Sequence, residues 1–163
     1  MKLYFNLSKW LLIIAVISLS ACSKSATVTP AASYISMKIN GVEWKTNTAA
    51  IGGISQGNFT ASGAYEINGQ KEVISIVLLN VAEGTTYKFE DTVDRAIQFT
   101  KQTTKISYSL AKDTKKSLGV FKITATKTAA TLIYANATFS GTAVGTDGST
   151  IVITEGIVVN SQI

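Results

Sequence analysis

From residue 34 onward, apolar and polar side chains alternate with a period of two. Ile35, Met37 and Ile39 are separated by Ser36 and Lys38. Asn40-Gly41 follows, the strongest short signal for a hairpin, because both central residues of that turn need positive φ. Val42 and Trp44 resume the alternation, and Phe59, Ala61, Gly63 and Tyr65 continue it before a second turn at Asn68-Gly69. Residues 72–79 form the most apolar stretch, which predicts a central strand covered on both faces. Gly84 closes the connection to Tyr87 and Phe89.

Beyond these, Ile97 and Phe99, then Ile106, Tyr108 and Leu110, then Phe121, Ile123 and Ala125, repeat the pattern. A long stretch over residues 132–144 carries Ile133, Ala135, Ala137 and Phe139 on one side. Asp147-Gly148 marks a third turn, and residues 151–153 and 157–159 read as the last two apolar pieces. The 21 threonines favour the pleat through their β-branching. After residue 30 no window shows a 3.6-residue period. Nine or ten short strands with Gly and Asn turns predict an all-β, antiparallel β-sandwich or β-barrel-like domain over residues 34–163. Both architectures point alternate residues inward, so the alternation leaves the choice open.

The first 21 residues follow a different logic. Lys2 and Lys9 precede a ten-residue apolar run, residues 10–19, broken only by Ser18. A transmembrane helix needs about 20 apolar residues, whereas about 7–15 suffice for the core of a signal peptide. The run ends in Leu19-Ser20-Ala21-Cys22, which resembles the bacterial lipobox. In that class the Cys thiol accepts a diacylglyceryl group as a thioether, and small residues before it admit the peptidase. The expected organisation is a lipoprotein signal peptide over 1–21 cut between Ala21 and Cys22, a lipidated tether over 22–33, and the β domain. Residues 23–32 are small and polar, as a flexible tether requires. No acidic run follows Cys22, which points to an outer-membrane lipoprotein on the periplasmic face.

Two stretches carry a family resemblance. Ser36-Met37-Lys38-Ile39-Asn40-Gly41-Val42-Glu43-Trp44 resembles the opening hairpin of small Bacteroidota lipoproteins, with a KIDG-x-x-W-like segment after the tether. Phe139-Ser140-Gly141-Thr142, then Ile153-Thr154-Glu155-Gly156, is similar to their closing GTFSFTA and ITEG-x-F strands, although Ser140-Gly141 departs from that pattern. The family is of unknown function. The resemblance implies a β domain in the envelope and no catalytic residue.

Composition narrows the chemistry. The chain has 163 residues, no His and one Cys. That excludes an internal disulfide, the His-dependent triads and multi-Cys or His metal sites. There is no nucleophile elbow, phosphate loop or dinucleotide fingerprint, so no cofactor is expected. Removing the leader lowers the side-chain charge from +5 to +3. Seven lysines, Lys101, Lys105, Lys112, Lys115, Lys116, Lys122 and Lys127, lie within 27 residues against Asp113 alone. Such a run either keeps exposed strands soluble or meets an anionic envelope glycan or lipid, with Lys112, Lys115 and Lys116 at its centre. Nucleic acid is not an expected partner in this compartment.

Glu83, Glu90, Asp91 and Asp94 form the one acidic cluster. It reads as a solvated loop around Arg95, with a calcium loop or a glycosidase pair as the chemical alternatives. Trp44, the only Trp after the leader, is either a core anchor beside the first turn, on the same face as Val42, or a stacking platform for a ligand. The expectation is a non-enzymatic, lipid-anchored domain that binds a ligand or envelope partner. A carboxylate-based glycan hydrolase and a structural subunit of an envelope assembly are the alternatives.

Overall fold

The computed structural model describes residues 33–48, 50–112, 117–129, 132–161 and 163. The leader, the Ala21–Cys22 junction and the tether to residue 32 lie outside the described residues, as do Lys115 and Lys116. The strands are β1 (Tyr34–Ile39), β2 (Val42–Lys45), β3 (Ile51–Ser55), β4 (Asn58–Ile67), β5 (Gln70–Leu78), β6 (Thr86–Lys88), β7 (Arg95–Lys101), β8 (Ile106–Leu110), β9 (Leu118–Ala129), β10 (Leu132–Gly145) and β11 (Thr150–Val159). Every pairing is antiparallel. Among the described residues there is no helix long and apolar enough to cross a membrane.

The predicted turns form as their chemistry demands. Asn40 and Gly41 have φ of 50° and 83°, and Asn68 and Gly69 have 50° and 74°, the left-handed pair that lets two twisted strands close over two residues. A third turn of this kind, Gln56-Gly57 at 50° and 76°, joins β3 to β4. Strand β3 is absent from the alternation reading because Gly52 and Gly53 interrupt its apolar pattern. At Gly53 a Cβ would sit 3.0 Å from the Ile133 carbonyl oxygen, so that glycine lets β3 approach β10.

The two apolar pieces at the C-terminus are one strand, β11, interrupted by a bulge. Ser36 faces Ile157 while Lys38 faces Thr154, and on the other side Phe139 faces Gly156 while Gly141 faces Ile153. The extra residue is accommodated beside Glu155, whose φ is 52°.

The strands form two layers, β2-β1-β11-β10-β9-β6 and β3-β4-β5-β7-β8, joined into one hydrogen-bonded sheet by β10. Ile133 of β10 pairs with Ile54 of β3, and Val144 and Gly145 pair with Ser109 and Tyr108 of β8. Fourteen residues of strand span roughly 45 Å, enough for β10 to serve its own layer and reach both edges of the other. The circuit β10-β3-β4-β5-β7-β8 closes on itself, while β2-β1-β11 and β9-β6 extend from it as flaps. Sandwich and barrel are thus combined.

The core lies between the layers. Phe59 of β4 meets Phe121 of β9 with ring centroids 5.0 Å apart, and Phe121 stacks on Phe139 of β10 at 6.5 Å. All three are buried. The Ser140-Gly141 departure has a packing reason: a Cβ at Gly141 would collide with Leu110 of β8 and lie 2.5 Å from the Leu118 carbonyl oxygen. Strand β5 is central, between β4 and β7, but it is covered on one face only. Ile74, Ile76 and Leu78 are buried, whereas Val77 is 39% exposed on the opposite face. Its continuous apolar run overstates its burial because Val is also favoured on an open pleat.

Candidate functional site

Three layers of side chains run across the inner face of β4, β5, β7 and β8 by direct register. Ala61, Ile76, Ile97 and Leu110 form one row, and Gly63, Ile74, Phe99 and Tyr108 the next. The period of two then requires the third row to face inward as well. That row is Tyr65, Glu72, Lys101 and Ile106. Two of its members are charged, and Trp44 of the opposing β1–β2 hairpin stands against it.

The result is a cleft of about 690 Å³ between the first hairpin and β4, β5, β7 and β8. Trp44, Tyr65 and Tyr108 are its aromatic walls, Glu72 and Lys101 supply its charges, and Glu43 and Lys45 line it with their strand. Trp44 is 7% exposed. Its ring meets Phe99 edge-on at 5.5 Å and tilts against Tyr65 at 6.5 Å. Its indole Nε1–H donates to Glu72 Oε2 at 2.8 Å, so the buried donor is satisfied and the ring is held in one orientation.

The other carboxylate oxygen, Glu72 Oε1, is 3.7 Å from Lys101 Nζ. That is an ion pair but too long for a hydrogen bond. The Tyr108 hydroxyl lies 3.3 Å from Ser149 Oγ.

Trp44 is therefore a core anchor by burial, and it also lines the cleft. Val42 lines the same cleft while 71% exposed, because it stands beside the turn where the opposing layer has ended. Outside the cleft, Lys45 Nζ lies 3.9 Å above the Tyr34 ring, and Lys38 donates to Glu155 Oε1 at 2.7 Å. That exposed pair raises the Lys38 pKa, chiefly through the hydrogen bond to Glu155 and then its charge.

The lysine run divides among separate elements. Lys101 joins the cleft, Lys105 sits before β8, and Lys122 and Lys127 lie along β9. Lys112 donates to the Asp91 carbonyl oxygen at 3.1 Å, tying its loop to the segment before β7. The acidic residues are likewise engaged with neighbouring strands and turns: Glu83 accepts from Thr126, Glu90 from the Gly119 amide at 3.4 Å, and Asp94 from Thr92 at 3.2 Å. Among the described residues no three His, Cys, Asp or Glu converge on a possible metal position. Arg95 lies 4.7 Å over the Tyr87 ring and donates to the Lys88 carbonyl oxygen at 3.0 Å.

Sequence reasoning missed Glu72, Lys101 and Tyr65 as members of one site. Their signal was present: each shares the parity of the large buried residues on its strand, Phe59 on β4, Ile74 and Ile76 on β5, Ile97 and Phe99 on β7. Only the register shows that the three stand side by side. No family model, no curated protein and no solved structure matches the chain.

Proposed function

We propose that this chain is a lipid-anchored cell-envelope lipoprotein, held through Cys22 at the periplasmic face of the outer membrane, whose β domain is a non-enzymatic binding module using the Trp44 cleft. The observation that carries the anchor is the lone Cys of the chain standing directly after a ten-residue apolar core and Leu19-Ser20-Ala21. Two acyl chains or more make such anchoring stable, at about 0.8 kcal/mol per buried CH₂. The binding role is supported by the cleft itself: its size falls within the range of small-molecule sites, and aromatic walls surround a few polar groups.

The test is metabolic labelling with an alkyne fatty acid in a bacterial host. The native chain takes up label and fractionates with membranes; Cys22→Ala takes up none and stays unprocessed or soluble. A cleaved, membrane-bound Cys22→Ala protein would refute the anchor.

A second reading has one observation in its favour. Two carboxylates, Glu43 and Glu72, line the same cleft, the residue types of a glycan hydrolase. Glu72 is already bonded to the Trp44 indole, which supports binding over turnover. Hydrolysis of a saccharide that is lost in both Glu43→Gln and Glu72→Gln would reverse that preference.

A further inference from the structure

We propose that the cleft takes a neutral saccharide, with the C–H face of a sugar ring against Tyr65, beside the buried Trp44, and two adjacent hydroxyls bridging Glu72 and Lys101. This rests on the binding-module reading and names its ligand class.

The chemistry is written in the third row of the inner face. Glu72 and Lys101 are opposite each other in register, yet Oε1 and Nζ stand 3.7 Å apart, with the two side chains about a quarter and a third exposed. A carboxylate oxygen has two acceptor positions and an ammonium has three donors. At this separation neither spends one on the other, so both keep capacity directed at the cleft. A pair of adjacent hydroxyls is the matching group: one donates to Glu72 Oε1 while the other accepts from Lys101 Nζ. A lone carboxylate or phosphate would satisfy Lys101 and be repelled by Glu72. A cation would meet the reverse conflict.

The two charges that face each other in the inner row, Glu72 and Lys101, balance, which selects for a ligand without net charge. The aromatic side is preorganised. The hydrogen bond to Glu72 and the edge contact with Phe99 fix Trp44, so little ordering cost remains at binding. Tyr65 is half-buried beside it and presents both ring and hydroxyl. One carboxylate thus both orients the indole and receives the ligand.

Trp44 provides the readout. In a full-length chain carrying Trp10→Phe it is the sole indole, and its emission is titrated with maltotriose, cellotriose, xylotriose and the trimer of β-1,4-linked N-acetylglucosamine. A parallel set of uncharged tripeptides is run as comparison. The expected result is a saturable change with at least one saccharide, weakened tenfold or more by Tyr65→Ala and by Lys101→Met. Lys101→Met keeps the stem and is exposed enough to leave folding intact, so the test survives if Tyr65→Ala is destabilised. A saccharide response unchanged in Lys101→Met would overturn the proposal by placing the ligand elsewhere. A response to peptides alone would overturn the saccharide class and leave the binding-module reading standing. Silence toward both sets would count against both.

Discussion

Replacing Gly156 with alanine puts a methyl group where the structure has no room. Gly156 follows the bulge residue Glu155 and faces Phe139 across the β10–β11 ladder. A Cβ built there would lie 2.5 Å from Phe139 Cδ2, 2.6 Å from Cε2 and 2.5 Å from the Phe139 carbonyl oxygen. The ring cannot swing away freely, because Phe139 is buried and stacked on Phe121, which in turn meets Phe59. Nor can the carbonyl, which belongs to β10. Overpacking of a core usually costs about 1–3 kcal/mol; a clash with both ring and backbone places this one near about 3 kcal/mol. For a domain of about 130 residues that lowers Tm by about 10 °C.

The assay is thermal unfolding of the lipid-free chain followed by circular dichroism or calorimetry. Phe139→Leu in the same chain removes the ring edge while keeping an apolar side chain. The two substitutions should therefore couple, with the double variant less destabilised than the sum of the singles. A Gly156→Ala protein melting within 1 °C of the native chain, or strict additivity with Phe139→Leu, would refute the packing account of this glycine.

Other expectations follow from the same geometry. Phe121→Ala empties the centre of the aromatic triad and should cost about 3–5 kcal/mol, read as a fall in denaturation midpoint. Glu72→Ala leaves the Trp44 indole N–H without its partner; it should cost about 1–3 kcal/mol and change the Trp44 emission maximum, while an unchanged spectrum would show that the bond does not orient the ring. Asp147 accepts from Ser149 Oγ at 2.6 Å and from the Ser149 amide at 3.0 Å; the hydroxyl bond first and the amide bond next hold its pKa below the ordinary 3.8. The native state then binds that proton less readily than the unfolded chain. The stabilisation is complete above about pH 4 and is lost as pH falls through the lowered native value, so Asp147→Asn should flatten that part of the stability profile. Lys38→Met removes an exposed pair and should leave Tm unchanged within error.

Much of this protein was readable from local chemistry. The alternation located ten of the eleven strands, and Asn40-Gly41 and Asn68-Gly69 announced hairpins because their backbone angles are a property of those two residue types. Strand β3 escaped, since two glycines carry no periodic signal, and β11 was read as two pieces because a bulge shifts the parity of one strand by one residue. The candidate anchor at Cys22 was legible for a similar reason: it depends on a short linear order of residue types, read without a fold.

Local order along each strand dictates which side chains face inward, because a strand's period of two is set by its own backbone. Which inward residues become neighbours is settled by the assembled sheet. Tyr65, Glu72 and Lys101 come from three strands, and Trp44 from the opposite layer; their meeting depends on register and on where the β1–β2 hairpin stops. The same holds for β10, whose extra length was visible but whose second set of partners was not. Hydrogen bonding between strands is indifferent to side-chain identity, so the choice of partner falls to packing of the whole core. Here that packing leaves one charged row only partly covered, along the cleft.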